Sequence, residues 1–144
     1  MRGYTVSRKG VTPTVGNDLM TIIAPANKMI RIKRIRVTGE ATASTAMRTV
    51  IQRSTGGTTP GGALTPEKTT TSDPAASTVV DTTWATQPTL SGSPLYNEGW
   101  NAFGGGFDLT LDGREIYLVN SEQVSIRADA GTGVMSLEAE VEEL

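Results

Sequence analysis

Apolar and polar residues alternate with a period of two at residues 29–37, 124–129 and 134–144, Gly and Pro punctuate the chain every few residues, and no window sustains the 3.6-residue period of an amphipathic helix. Residues 18–25, DLMTIIAP, form a β-rich run that Pro25 ends, and Ala26-Asn27 leaves room for a turn, so the spacing predicts a hairpin into the next strand. From Met29 onward, Ile30 and Ile32 alternate with Arg31 and Lys33. The phase then slips across Lys33-Arg34 before Ile35 and Val37 resume it against Arg36, which predicts a β-bulge or a bend between sheets. Strand character returns at 45–53 and 77–84, and the Gly, Pro, Ser and Thr content of residues 54–77 predicts a long exposed loop holding one short strand at most. Asp112-Gly113 lies between two strand-like runs and reads as a tight hairpin turn, because both positions tolerate positive φ. Segments 115–119, 124–129 and 134–144 complete the set. In the second, Val124, Ile126 and Ala128 share a face; in the last, Met135, Leu137, Ala139 and Val141 oppose Ser136, Glu138, Glu140 and Glu142, so each strand has one wet face.

Roughly eight strands with Pro/Gly-rich connections fit two packed sheets better than one open sheet. The expected fold is therefore all-β: a two-sheet antiparallel β-sandwich of jelly-roll type. An immunoglobulin-like sandwich is the alternative, and it lacks the Cys pair that marks true immunoglobulin domains. At 144 residues the chain can bury a core without metals or disulfides. Residues 17–144 read as a single domain, preceded by an N-terminal arm, 1–16, in which Tyr4 offers an anchor and Arg2, Arg8 and Lys9 offer charge. Neither a membrane-length apolar run nor the apolar core of a signal peptide is present, so the expectation is a soluble unit with no membrane partner.

Charge sharpens this picture. The formal net charge is only −2, yet residues 1–72 hold 11 Lys or Arg against three acids, and residues 73–144 hold two Arg against 12 acids. Five of the cations, Lys28, Arg31, Lys33, Arg34 and Arg36, fall within nine positions. A phosphate track is one reading of that run, but it contains no aromatic on which a base could stack, and the chain is acidic overall, so no direct nucleic-acid contact is expected. Two readings remain. The basic strand lies beside the C-terminal one, with Arg31, Lys33 or Arg36 facing Glu138, Glu140 or Glu142 across a sheet. Alternatively, the same complementarity acts between subunits and sets their register.

The chain has no Cys and no His, which removes Ser-His-Asp and Cys-His arrangements and the usual zinc ligands. GGTTPGGALTPEK has the glycine content of a phosphate loop without its Gly-Lys-Ser/Thr ending. Asp108 and Asp112 lack the alternating carboxylates of a calcium loop. Glu98, Asp108 and Asp129 could meet in space as paired carboxylates, but no spacing supports it. No catalytic, cofactor-binding or metal-binding residue is assigned, and no enzymatic activity or cofactor is expected. Tyr96, Trp100, Phe103 and Phe107 surround a run of three glycines; they form either a platform for sugar rings or a partner, or core filling at a sheet corner.

Taken together, DLMTIIAPANKMIRIKRIRV, STGGTTPGGALTPEK, LYNEGWNAFGGGFDL and EIYLVNSEQVSIRAD resemble the small head-decoration, or cement, proteins of tailed bacteriophages, over roughly residues 17 to 142. The resemblance implies a structural, non-enzymatic virion protein on the capsid exterior, made in the bacterial host cytoplasm. Its partner would be the major capsid protein, and a homo-oligomer, commonly a trimer, is implied. A carbohydrate-binding or tail-associated adhesion module is the alternative, with Trp84, Tyr96 and Trp100 as stacking candidates. A minor capsid or head-to-tail joining protein is a further one, and it would differ in copy number.

Overall fold

The computed structural model of the chain describes residues 2–144; Met1 lies outside them. No helix occurs in that span. The strands, in chain order, are β1 (Arg2–Val11), β2 (Asp18–Ile23), β3 (Met29–Gly39), β4 (Ala46–Thr55), β5 (Thr58–Leu64), β6 (Glu67–Lys68), β7 (Val79–Thr86), β8 (Thr89–Leu90), β9 (Tyr96–Asn101), β10 (Gly106–Thr110), β11 (Ile116–Val119), β12 (Gln123–Ala130) and β13 (Met135–Glu143). Sheet A runs β10-β3-β13-β1-β6, with β11 also on β3; sheet B runs β5-β7-β2-β12-β4-β8, with β9 also on β4. All pairings are antiparallel. The chain crosses between sheets after β1, β2, β3, β5, β6, β9, β11 and β12, and β13 lies between β1 and β3 while β12 lies between β2 and β4. That nested order is a jelly roll, as the alternation predicts.

Period-two sorting builds the core between the sheets. Ile30, Ile32, Ile35 and Val37 of β3 and Met135, Leu137, Ala139 and Val141 of β13 are buried against Met20, Ile22, Ile51, Val124 and Ile126 of sheet B. Each fully buried Ile, Leu or Val contributes about 1.5–3 kcal/mol. The phase slip in β3 is a bulge: Glu140 opposes Arg34 and Val141 opposes Ile32, leaving Lys33 as the extra residue. The Leu111 N–H fills the break by donating to the Lys33 carbonyl at 2.8 Å.

Several expectations change. Residues 54–77 are not one long loop, since they contain β5, which pairs with β7, and β6, which pairs with β1. The turn at Ala26-Asn27 is a crossing between sheets and not a hairpin, because β2 pairs with β12 and β7 whereas β3 pairs with β13, β10 and β11. Asp112-Gly113 does not close a hairpin either. It joins β10 and β11, which lie end to end along the same strand, β3. Residues 2–11 of the expected arm form β1, paired with β13 over most of its length. Tyr4, only 1% exposed, donates its hydroxyl hydrogen to the Pro74 carbonyl at 3.0 Å, and Arg8 donates to the Leu19 carbonyl at 2.6 Å. Burial lowers the Arg8 guanidinium from its ordinary value, and burial with the nearby Glu143 charge raises the Tyr4 phenol.

The outer face of β12 is not wet, contrary to its alternation. Ser125 is fully buried there, with Thr21, Ser54 and Asp18 beside it. The segment from Trp84 to Gly92, which must carry the chain from β7 at one side of sheet B to β8 at the other, lies over this face. Trp84 Nε1 donates to Thr21 Oγ1 at 2.9 Å, Arg127 Nη2 to the Pro88 carbonyl at 2.6 Å, and Gln52 Nε2 to the Gly92 carbonyl at 2.6 Å. Underneath, Asp18 accepts from Arg127 Nε at 2.7 Å and from Thr21 and Ser125 hydroxyls at 2.5 Å each. Removing one partner of a buried, fully bonded ion pair costs about 3–5 kcal/mol. Asp18→Ala should therefore lower unfolding stability by that amount in urea titration, far more than Asp112→Ala in the exposed β10–β11 turn.

Candidate interaction face

The residues singled out for charge complementarity converge on the outer face of sheet A, where alternation turns every second side chain of β3 and β13 away from the core. Register does the rest. Arg31 sits opposite Glu142, Arg34 opposite Glu140 and Arg36 opposite Glu138. Arg31 Nε lies 2.5 Å from Glu142 Oε2, Lys33 Nζ 3.4 Å from Glu142 Oε1, Arg34 Nη1 3.7 Å from Glu140 Oε1, and Arg36 Nη2 2.7 Å from Glu138 Oε1. On the other flank of β3, Arg34 forks onto Asp108 of β10, with Nε 2.9 Å from Oδ1 and Nη2 on Oδ2. The intrachain reading of the basic strand is thus realised. Lys28 stands apart from this face: it precedes β3 and bonds Ser77 Oγ at 2.9 Å, with Glu143 Oε1 3.8 Å away.

The face carries alternating rows of charge. β10 offers Asp108, β3 the cations, β13 the glutamates, and β1 the small or basic residues Gly3, Thr5, Ser7 and Lys9. Two open hollows follow β1, each about 220 Å³, one beside Gly3, Thr5 and Thr69 and the other beside Ser7, Lys9 and Thr38. At one end the charge gives way to apolar side chains: Tyr117 and Val119 of β11 stand beside Arg31 and Met29, and the Leu144 N–H donates to the Met29 carbonyl at 3.0 Å. Met29, Tyr117 and Leu144 are exposed. The free edge of β11 is capped by side chains, since Arg53 donates to the Tyr117 carbonyl at 3.1 Å and the Val119 N–H donates to Glu122 at 2.9 Å.

Electrostatics follow the geometry. Burial alone would raise the Glu142 carboxyl, but its hydrogen bonds and charge contacts with Arg31 and Lys33 together hold it below the usual carboxylate range. The Arg34 hydrogen bonds pull the Asp108 carboxyl down against a smaller effect of burial, and Asp108 in turn raises the Arg34 guanidinium. Tyr117 beside Arg31, and the bond that Arg31 donates to Glu142, raise its guanidinium.

The aromatic set divides. Tyr96, Trp100 and Phe107 are half-buried against the core where β9 of one sheet meets β10 of the other, Trp100 and Phe107 meeting edge-to-face with ring centroids 6.4 Å apart. Trp100 Nε1 donates to Thr49 Oγ1 at 3.0 Å, and Trp84 is committed to Thr21. Of the sugar-stacking candidates, Tyr96 and Trp100 are half-buried against the core and Trp84 is half-buried on the outer face of sheet B; of the patch only Phe103 stands exposed, at 60%. Sequence reading missed Glu143, which alternation turns inward at the end of β13. Its Oε2 accepts from Ser77 N and Thr78 N at 2.7 Å and from Thr78 Oγ1 at 2.8 Å, tying the end of sheet A to the start of β7. Only its place among the inward-facing positions of β13 could have flagged it. Among the described residues, no group of three or more Asp or Glu side chains is arranged to hold a metal ion.

Glu142, lowered on folding, stabilises the fold above its ordinary pKa of 4.5, and that contribution is lost as pH falls below it. Melting temperature followed downward from pH 4.5 should fall less steeply in Glu142→Gln than in the natural chain. Trp100→Ala should cost about 3 kcal/mol in urea unfolding, by loss of packing and of the Thr49 bond, whereas Phe103→Ala should stay within about 0.5 kcal/mol.

No protein-family model, curated protein or solved structure matches the chain.

Proposed function

We propose that the chain is a structural virion protein that decorates and stabilises the head of a tailed bacteriophage, binding as a homo-oligomer between major capsid protein subunits. The observation that supports this reading is the outer face of sheet A: a broad β surface, backed by a packed core, on which cations and carboxylates are already held in fixed rows. Prearranged charge of this kind selects a partner and its register more than it adds raw affinity. A face that joins copies of the chain leaves their remaining surfaces free to engage several capsid subunits at once. Multivalent docking makes later contacts intramolecular, so modest patches suffice to hold a shell together.

Added to expanded phage heads, the purified protein should co-sediment with them and raise their rupture temperature. Failure to associate with expanded shells removes the proposal.

A further inference from the structure

The outer face of sheet A is complementary to itself, and we infer that its partner is a second copy of this chain, related by a two-fold axis running parallel to the strands midway between β3 and β13. Such an axis exchanges β3 with β13 and the β10/β11 line with β1, while leaving position along the strands unchanged. Each cation row then lies over the partner copy's glutamate row: Arg31 over Glu142, Arg34 over Glu140 and Arg36 over Glu138, in both directions. The exchange also matches shape. Tyr117, Arg31, Glu142 and Gly3 form one continuous row across β11, β3, β13 and β1, so the Tyr117 ring of one copy meets the hollow at Gly3 of the other. That hollow exists because Gly3 has no side chain; a Cβ there would come 3.0 Å from Thr69 Oγ1. Asp108, in the row of Arg36, Glu138 and Ser7, meets the second hollow, which Lys9 lines. Met29 and Leu144, adjacent on β3 and at the end of β13, cover each other.

The apolar end supplies the affinity and the charged rows supply the register. Each Arg has five N–H donors and can serve a second carboxylate without releasing its own. The capped edge of β11 disfavours edge-to-edge growth, and an isologous face closes after two copies. The unit is thus a pair, where the resemblance implies a trimer. The inference rests on the oligomeric part of the proposed function and not on shell binding.

Mass in solution tests it without any shell. At high concentration the full chain should sediment as twice 15.2 kDa. Tyr117→Ala should raise the dissociation constant about tenfold. Arg36→Glu alone and Glu138→Arg alone should each be folded monomers by circular dichroism, because they place like charges over one another. An equimolar mixture of the two should restore the dimer, since every contact across the axis is again between opposite charges. A natural chain that stays monomeric or forms trimers, single variants that still dimerise, or a mixture that stays monomeric overturns the assignment; should a charge variant fail to fold, unchanged affinity in Tyr117→Ala does so alone.

Discussion

The β3–β13 ladder is the constraint on which the remainder of the molecule depends. It joins a strand from the basic half of the chain to the acidic C-terminal strand, with Ile30 opposite Glu143 at one end and Gly39 opposite Met135 at the other. One register decides two things at once. On the inner face it sets the apolar residues of both strands against sheet B; on the outer face it brings each arginine to its glutamate. A slip of one residue would send both sets to the wrong side. The bulge at Lys33 keeps the two faces consistent, because the sequence shifts phase there and the backbone must absorb the extra residue.

The two outer faces meet water in opposite ways. Sheet A keeps its charges at the surface, where exposed pairs contribute only about 0–1 kcal/mol each and matter chiefly as pattern. Sheet B carries a polar layer around Asp18, Ser125 and Arg127 and then covers it with the Trp84–Gly92 segment. Burial there is tolerable because the groups are bonded to one another and to the covering backbone. The covering segment exists because the chain has to pass from β7 to β8 across the width of the sheet. Glu143 does similar work between the sheets, gathering the backbone at Ser77 and Thr78.

Much of the architecture was legible in local pattern. Alternation in residues 29–37 and 134–144, and the absence of helical period, follow from which side chains can leave water, so the sequence by itself determined an all-β sandwich, its inward apolar set and the place in β3 where the phase slips, and the structure made that slip a bulge. The spread of opposite charge between the two halves suggested Arg31, Lys33 or Arg36 facing Glu138, Glu140 or Glu142 as one of two readings; the register that pairs Arg31 with Glu142, Arg34 with Glu140 and Arg36 with Glu138 came from the structure. Only the tertiary structure decided which turns are hairpins and which are crossings, that residues 2–11 join sheet A, and that Ser125 and Arg127 are covered while Glu138 and Glu140 are not. The reason is that a local pattern fixes which face a side chain takes, whereas what lies over that face is set by segments far away in the chain, as Trp84 and Pro88 are from Asp18 and Ser125.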